Sequence, residues 1–302
     1  MNPPNLTPIS TAFEAPGTSS AGVPPFREYD FNCPVHGIQH ARMYMRPDGT
    51  FPAPYCRTCA RIEEERRNRI GQIKADALSD AIALRNLFGP TLGGDESFDT
   101  FTFDRFKTSG VPYIEKALSV CERFANRFLI RAEEREIART NGSPDWRKKN
   151  AIGICFSGSC GVGKTFLALS ILNRIEQFGV PGYFVSCPSL MQAVLDLPFG
   201  EKARAIQLLT RTAVLVLDDV GAQSWKPLEQ QLLFQVIDGR ISRGRPIIAT
   251  TNLSRRQMED SLTPRTAQRL VAATVSIDAS MWPNLRMQQA ASLDLEHFEE
   301  GF

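Results

Sequence analysis

The sequence lacks the features that mark membrane, secreted or strongly charged proteins. Its 302 residues contain no run of about 18 apolar residues, the length that a membrane-spanning helix requires. The N-terminus, MNPPNLTPIS, has neither the basic stretch nor the apolar core of a secretion signal. With 35 basic and 33 acidic residues the net charge is only +2, so any nucleic-acid binding has to come from local basic patches. We therefore expect a cytoplasmic globular protein, in which the seven cysteines are metal ligands, reactive thiols or core residues rather than disulfides.

Composition predicts four segments along the chain. Residues 1–25 are rich in Pro, Ser, Thr and Gly, which is typical of a disordered tail. Residues 26–90 hold a cysteine-containing segment and then a long charged helix, Ala60–Leu87, which ends before a Gly-Pro pair. The largest segment, 91–286, alternates short apolar runs with helical patterns, and an acidic tail follows at 287–302.

The alternation in the largest segment predicts an α/β fold, with a parallel five-stranded sheet flanked by helices. A single long helix from Pro112 to about Ile137 is expected before the first apolar run. The five runs are Ile152–Phe156, Tyr183–Ser186, Ala213–Leu217, Pro246–Thr250 and Val271–Ile277.

The first apolar run leads into the motif G-x-x-x-x-G-K-[ST], which is typical of a phosphate-binding loop. Glycines let the backbone wrap a phosphate closely, and the helix that follows presents its positive N-terminal end to the same phosphate. Lys164 is expected to neutralise the β- and γ-phosphates, and Thr165 to offer its hydroxyl to Mg²⁺. The residues of the motif are Gly158, Ser159, Cys160, Gly161, Val162, Gly163, Lys164 and Thr165.

Two further apolar runs end in polar side chains at the same edge of the predicted sheet. Asp218 and Asp219 follow the third run, where ligands bind in folds of this kind. We expect Asp218 to hold Mg²⁺ through water and Asp219 to orient the attacking water. Asn252 follows the fourth run, and its amide is expected to bind that water and sense the γ-phosphate; capping of the next turn is the alternative role.

Cysteines and histidines near the N-terminus have the spacing of a metal site. Cys33 and His36 form one C-x₂-H pair, and Cys56 and Cys59 form a C-x₂-C pair after 19 intervening residues. Two such pairs suit one tetrahedral Zn²⁺, and the turn-rich spacer between them needs a metal for stability. No acid–base pair accompanies the four residues, so the zinc is predicted to be structural. His40 is the alternative to His36 as the fourth ligand.

The strand-end motifs, in this order and spacing, resemble Walker A, Walker B and sensor 1 of the AAA+ ATPases. Over residues 98–286 the closer resemblance is to the DnaC/DnaI-type replicative helicase loaders and the related IstB-type transposition ATPases. The segments that carry it are LVLDDVGAQ, IIATTNLS, RTAQRL and MWPNLR. The resemblance implies binding of ATP and ADP with Mg²⁺, and a chain that, like these loaders, has no C-terminal helical lid.

The resemblance also implies how the ATPase works. Asp219 stands where many AAA+ proteins carry Glu, so slow, DNA-stimulated hydrolysis is expected. An arginine of one AAA+ subunit completes the site of its neighbour, which implies self-association through the ATPase domain. Arg269 matches the position of this arginine best, and Arg265 is the alternative.

In the loaders, a helical insertion before the Walker B strand touches single-stranded DNA. By this resemblance Lys202, Arg204 and Arg211 contact phosphates and Phe199 stacks on a base; a solvated helix face is the alternative. The N-terminal zinc module resembles the domain with which DnaC-like proteins grip the helicase, and IstB-type ATPases generally lack it.

Three functions follow from the resemblance. In the first, the protein binds a hexameric DnaB-type replicative helicase through its zinc module and delivers it to single-stranded DNA in the nucleoid during replication initiation. In the second, it is an IstB-like helper that assembles on duplex DNA and stimulates a transposase. In the third, it is an adaptor that binds nucleotide with negligible turnover.

Overall fold

The computed structural model describes residues 25–89, 100–143, 153–221 and 225–285. The predicted N-terminal tail up to residue 24 and the predicted acidic tail lie outside the described residues. No helix in the described part is long and apolar enough to cross a membrane. The chain divides into two compact units between Gly71 and Gln72.

The first unit contains a hairpin and the beginning of a long helix. Strands β1 (Phe26–Cys33) and β2 (Gly37–Tyr44) are antiparallel, and Gly37 supplies the positive φ of +71° that the turn requires. Helix α1 (Arg57–Phe88) continues into the second unit, where Ala77 and Leu84 join the apolar core. The buried core of the first unit is small, which makes an added cross-link or metal valuable for its stability. Its members are Phe31, Cys33, Ala41, Met43 and Cys56.

The second unit is built on the predicted parallel five-stranded sheet, which is confirmed. The strands are β3 (Gly153–Ser157), β4 (Tyr183–Ser186), β5 (Leu215–Asp218), β6 (Ile247–Thr251) and β7 (Thr274–Asp278). Their order in the sheet is β4-β5-β6-β3-β7, and all four pairings are parallel. Each predicted apolar run overlaps one strand, although the last strand begins three residues late because the preceding helix extends to Ala272.

Eight further helices of the described chain surround this sheet. Proline opens several of them in the first turn, where its missing N–H leaves no hydrogen bond unmade. Their bounds are α2 (Pro112–Asn126), α3 (Phe128–Thr140), α4 (Lys164–Gln177), α5 (Cys187–Asp196), α6 (Phe199–Arg211), α7 (Pro227–Ser242), α8 (Arg255–Ser261) and α9 (Pro264–Ala272).

The prediction of a single helix over residues 112–137 is wrong. The chain leaves helical geometry at Arg127, which has φ −95° and ψ 3°, and starts again as α3. The break turns Phe128 into the apolar core, where it is 4% exposed, while Arg127 remains on the surface. Periodicity alone missed the break because both halves are good helix formers.

The sheet brings three loop-bearing strand ends together. The last residues of β3 and β6, Ser157 and Thr251, are paired partners, and β5 lies on the other side of β6. Because parallel strands end at one edge, the loops after these three strands meet there. The phosphate loop, the two aspartates and Asn252 therefore share one site.

Candidate functional site

The phosphate loop joins β3 to α4, and its glycines adopt the backbone conformation that the motif requires. Gly158, Gly161 and Gly163 have φ of +135°, +80° and +96°, a region that side chains with a Cβ avoid. Helix α4 begins at Lys164, so its first free N–H groups point into the loop. The backbone here is arranged to receive an anion at a helix N-terminus.

Lys164 lies at the centre of the site and is only 5% exposed. Its Nζ donates to the carbonyl oxygens of Gly158 (2.9 Å) and Ser159 (2.7 Å) and to Oδ1 of Asn252 (2.8 Å). The predicted lysine and the predicted sensor amide are thus in direct contact, although 88 residues separate them. An ammonium held in place by neutral oxygens is ready to pair with a phosphate.

Asp218 and Thr165 form the candidate Mg²⁺ site. Thr165 Oγ1 donates to Oδ1 of Asp218 at 2.9 Å, and Thr250 Oγ1 donates to the same oxygen at 2.6 Å. Burial raises the pKa of Asp218, and the hydrogen bond from Thr250 opposes that rise. A carboxylate and a hydroxyl are the oxygen ligands that Mg²⁺ prefers, and a cation would relieve the cost of burying this carboxylate. The residues present therefore fit the metal.

Thr250 is a site residue that the sequence did not reveal. It is fully buried, and besides donating to Asp218 its Oγ1 accepts the backbone N–H of Asp219 at 3.0 Å. Asp219 has a φ of +55°, an uncommon conformation for a residue other than glycine. Thr250 thus holds the carboxylate of Asp218 at the candidate Mg²⁺ site, and it also holds the backbone that orients the side chain of Asp219. Only the strand register makes this visible, because Thr250 belongs to β6 and the aspartates follow β5.

Replacing Thr250 with valine is expected to lower kcat for ATP hydrolysis about tenfold with a smaller change in KM. Valine keeps the shape but removes one of the two donors to Oδ1 of Asp218 and leaves the N–H of Asp219 without its acceptor, at a cost of roughly 1–3 kcal/mol. Steady-state kinetics at varied Mg²⁺ concentration provide the measurement. Thr250→Ser is the matched control and should retain most of the activity, and a valine variant with unchanged kcat would contradict the positioning role.

The segment after β7, here named the C-terminal strap (residues 279–285), packs against the phosphate loop. The N–H of Leu285 donates to Gly161 O at 3.0 Å, and the Asn284 amide donates to Cys160 O at 3.2 Å. A Cβ built on Gly161 would lie 2.6 Å from the Asn284 side chain. The outer side of the loop is therefore filled by the chain itself. No local pattern predicts these contacts, and only the resemblance that MWPNLR carries draws attention to this segment.

Both candidate arginine fingers lie exposed on α9 and contact α7. The Arg265 guanidinium stacks on the ring of Phe234 at 4.5 Å, and Arg269 forms an ion pair with Asp238 at 3.2 Å. These contacts are within one chain, so completion of a neighbouring subunit's site by either arginine stays a prediction.

The expected DNA-contacting residues of α6 differ in their surroundings. Lys202 Nζ donates to Leu195 O at 2.7 Å, and Arg211 pairs with Asp80 at 2.7 Å. Arg204 is exposed, and Phe199 is 94% exposed at the start of the helix. Phe199 has the free ring face that base stacking needs.

The first unit brings together four of the predicted metal ligands. Ligand atoms of Cys33, His36, Cys56 and Cys59 all lie within 4.8 Å of one another. His36 Nδ1 is 3.3 Å from the Cys59 sulfur and 3.5 Å from the Cys56 sulfur. Three sulfurs and one imidazole nitrogen at these distances fit a tetrahedral Zn²⁺ without an open position. Zinc itself stays a prediction.

Burial and local hydrogen bonds shift the pKa values of two cysteines in this cluster. Burial raises the pKa of Cys33, but hydrogen bonds from the backbone N–H groups of Val35 and His36 and from the side chains of His36 and Cys59 together lower that pKa to about 6. Burial and the neighbouring thiols raise the pKa of Cys59. His40, the alternative ligand, lies opposite Asp30 in the hairpin and contacts its carboxylate instead.

The fold and the site define a P-loop ATPase of the AAA+ class. The family described as IstB-like ATP binding protein matches residues 115–272, just over half of the chain, and the chain belongs to this family. Members of this class bind and hydrolyse ATP.

The relatives point in two functional directions. The replicative helicase loader DnaC of Escherichia coli (strain K12) is 29% identical over 124 residues, which make up 40% of this chain and 51% of that protein. The ATP-binding protein of insertion sequence IS1162 from Pseudomonas fluorescens is 29% identical over 161 residues, 53% of this chain and 67% of that protein. The chain thus spans about half the length of the helicase loaders that it matches. A crystal structure of DnaI, 20% identical, covers 65% of this chain and 95% of its own with a TM-score of 0.50, a likeness of fold.

Proposed function

We propose that the protein is an ATP-dependent loader of a replicative DNA helicase. The observation that carries the proposal is the Cys/His cluster of the first unit, which stands in the same chain as a complete P-loop site. In the proposed mechanism the zinc module grips a DnaB-type helicase hexamer, and the ATPase domain controls release onto single-stranded DNA. Replication initiation in the cytoplasm, at the nucleoid, is the proposed setting.

In the proposed ATPase cycle, Lys164 pairs with the β- and γ-phosphates, and the backbone of the phosphate loop surrounds them. Thr165 and Asp218 would hold Mg²⁺, which when bound would neutralise charge on the phosphates. Asp219 orients the attacking water, and Asn252 joins that water to Lys164, to which its amide is already bonded. The short Asp219 side chain supports slow turnover, with DNA and a neighbour's Arg269 as the proposed stimulants.

DNA binding through α6 is part of this proposal. The exposed ring of Phe199 and the exposed charge of Arg204 are available for a base and a phosphate. Lys202 and Arg211 would have to exchange their present partners for DNA phosphates, so we propose smaller contributions for these two residues.

A second candidate, a helper ATPase that acts on duplex DNA during transposition, is favoured by the longer match to the IS1162 protein. An adaptor with negligible turnover is the third. The loader is preferred because of the Cys/His cluster, since IstB-type ATPases generally lack a zinc module.

The test is a native mass measurement of the full chain mixed with the replicative helicase of its host, in the presence of ATP. We expect a defined complex with the helicase hexamer that disappears with His36→Ala and persists with His40→Ala. Absence of any complex with the unaltered protein, together with tight binding to duplex DNA, would replace the loader by the transposition helper. Turnover that stays negligible with DNA present would favour the adaptor.

A further inference from the structure

Helices α7 and α9 are joined by two side-chain contacts at matching positions. Arg265 of α9 stacks on the ring of Phe234 of α7 at 4.5 Å, and Arg269 lies 3.2 Å from the carboxylate of Asp238. The two arginines are four residues apart, and so are their two partners. Four residues span about one helical turn, or about 6 Å along the axis. The two contacts therefore follow one another along both helices, as a regular part of their packing.

The packing of α9 leaves both arginines accessible. Its buried residues are Thr266, Ala267 and Leu270, which fix the helix in place. Arg265 and Arg269 are exposed. Because an arginine side chain has several freely rotating bonds, a change of rotamer is enough to release either guanidinium while α9 stays where it is.

The carboxylate of Asp238 is an imperfect partner for Arg269. Its Oδ1 is buried, and among the described residues no hydrogen bond reaches that atom. The guanidinium approaches within 3.2 Å but lacks the alignment of a hydrogen bond, so the attraction is one of charge. The two side chains are 45% and 31% exposed, and ion pairs that water reaches contribute little. Arg269 can therefore exchange this partner for a stronger one.

A nucleotide phosphate is such a partner. Arginine forks bind phosphate oxygens through two parallel hydrogen bonds assisted by charge, which are roughly twice as strong as neutral ones. A γ-phosphate on a second copy of the chain would thus displace Asp238 from Arg269. A site that holds ADP offers less negative charge and competes less well. The ion pair would therefore make engagement of Arg269 depend on the nucleotide that the neighbour holds.

We infer that Asp238 holds Arg269 in an autoinhibitory ion pair, which the ATP site of a second copy of this chain has to break. The inference rests on the proposed role of Arg269 in completing a neighbouring site. Stacking on Phe234 leaves the charge of Arg265 in place, so the same argument does not extend to the adjacent contact. The pair raises the protein concentration that assembly on ATP requires.

The test measures assembly against protein concentration, by sedimentation velocity of the full chain with Mg²⁺ and a non-hydrolysable ATP analogue. Asp238→Asn should lower the concentration of half-maximal assembly about two- to fivefold, the range expected for one partly exposed ion pair. The gain should disappear when Arg269→Ala is added, because it comes from the released guanidinium. ATP turnover per chain, measured over the same protein concentrations, should shift in parallel.

Three control variants keep the result specific. Asp238→Glu keeps the charge and should assemble at the original concentration. Phe234→Leu breaks the adjacent contact with Arg265, and Glu115→Gln removes an equal charge from the exposed surface of α2. Both should assemble as the unaltered protein does. Thermal unfolding at the original temperature verifies the fold of each variant.

Two results would overturn the inference. The first is an unchanged midpoint in Asp238→Asn while Arg269→Ala alone weakens assembly or turnover. The second is a gain in Asp238→Asn that persists after Arg269→Ala is added, since a new surface rather than a released arginine would then cause it. If Arg269→Ala changes neither assembly nor turnover, the proposed action of Arg269 on a neighbouring site is itself refuted, and the inference with it.

Discussion

Lys164→Ala is expected to abolish detectable ATP turnover and to weaken ATP binding at least about 100-fold, or about 2.8 kcal/mol. The lysine is buried, and its Nζ joins Gly158, Ser159 and Asn252. Its removal therefore takes away the charge that pairs with the phosphates and also frees the sensor amide. Fluorescent-nucleotide titration measures the affinity, and a coupled phosphate assay measures the turnover.

Lys116→Ala is the matched control, because this exposed lysine lies on α2 outside the site. It should bind ATP as the unaltered protein does. Thermal unfolding without nucleotide separates a lost contact from a lost fold, since an intact second unit should unfold near its original temperature. An alanine variant of Lys164 that retains full ATP affinity would refute the assignment of the site.

The second large effect is expected at the Cys/His cluster. His36→Ala should abolish the predicted zinc binding and unfold the first unit, because the hairpin has few buried apolar residues and a structural zinc site supplies much of the folding energy of such modules. Zinc content by elemental analysis and hydrogen exchange over residues 26–56 provide the measurements. A strong chelator should give the same result with the unaltered chain.

His40→Ala is the control for this experiment. It removes an imidazole of the same type from the same hairpin but breaks only the exposed contact with Asp30. We expect this variant to contain the predicted one zinc ion per chain and to exchange its hairpin amides as slowly as the unaltered protein. Loss of zinc in this variant but not in His36→Ala would make His40 the ligand.

Local sequence patterns predicted the features that depend mainly on residues close together in the chain, which are the phosphate loop and the strands. The phosphate loop is encoded in consecutive residues, because glycines at three positions supply the positive φ, and helix α4 follows the loop directly, as the motif predicted. The apolar runs predicted the sheet because strands buried on both faces are almost uniformly apolar. The approach of Lys164 to Asn252 followed from parallel strands that end at one edge.

The remaining features depend on contacts between distant parts of the chain. Thr250 gains its role only from the register of β6 beside β5, which no local pattern specifies. The helix breaks at Arg127 because Phe128 packs into the apolar core of the second unit. Arg211 pairs with Asp80, which lies far away in the sequence on α1. Spacing favours His36 over His40 without deciding between them, and the hairpin register, which pairs His40 with Asp30, separates the two.

The C-terminal strap has a consequence for how such a chain can change during evolution. Its hydrogen bonds to Cys160 and Gly161 determine how many residues can connect β7 to the phosphate loop. An insertion or deletion between Asp278 and Leu285 would displace the phosphate loop. We therefore expect homologues to keep the length of this short connection constant. Homologues should instead accept extra residues elsewhere, and substitutions at Gly161 and Asn284 should occur as pairs.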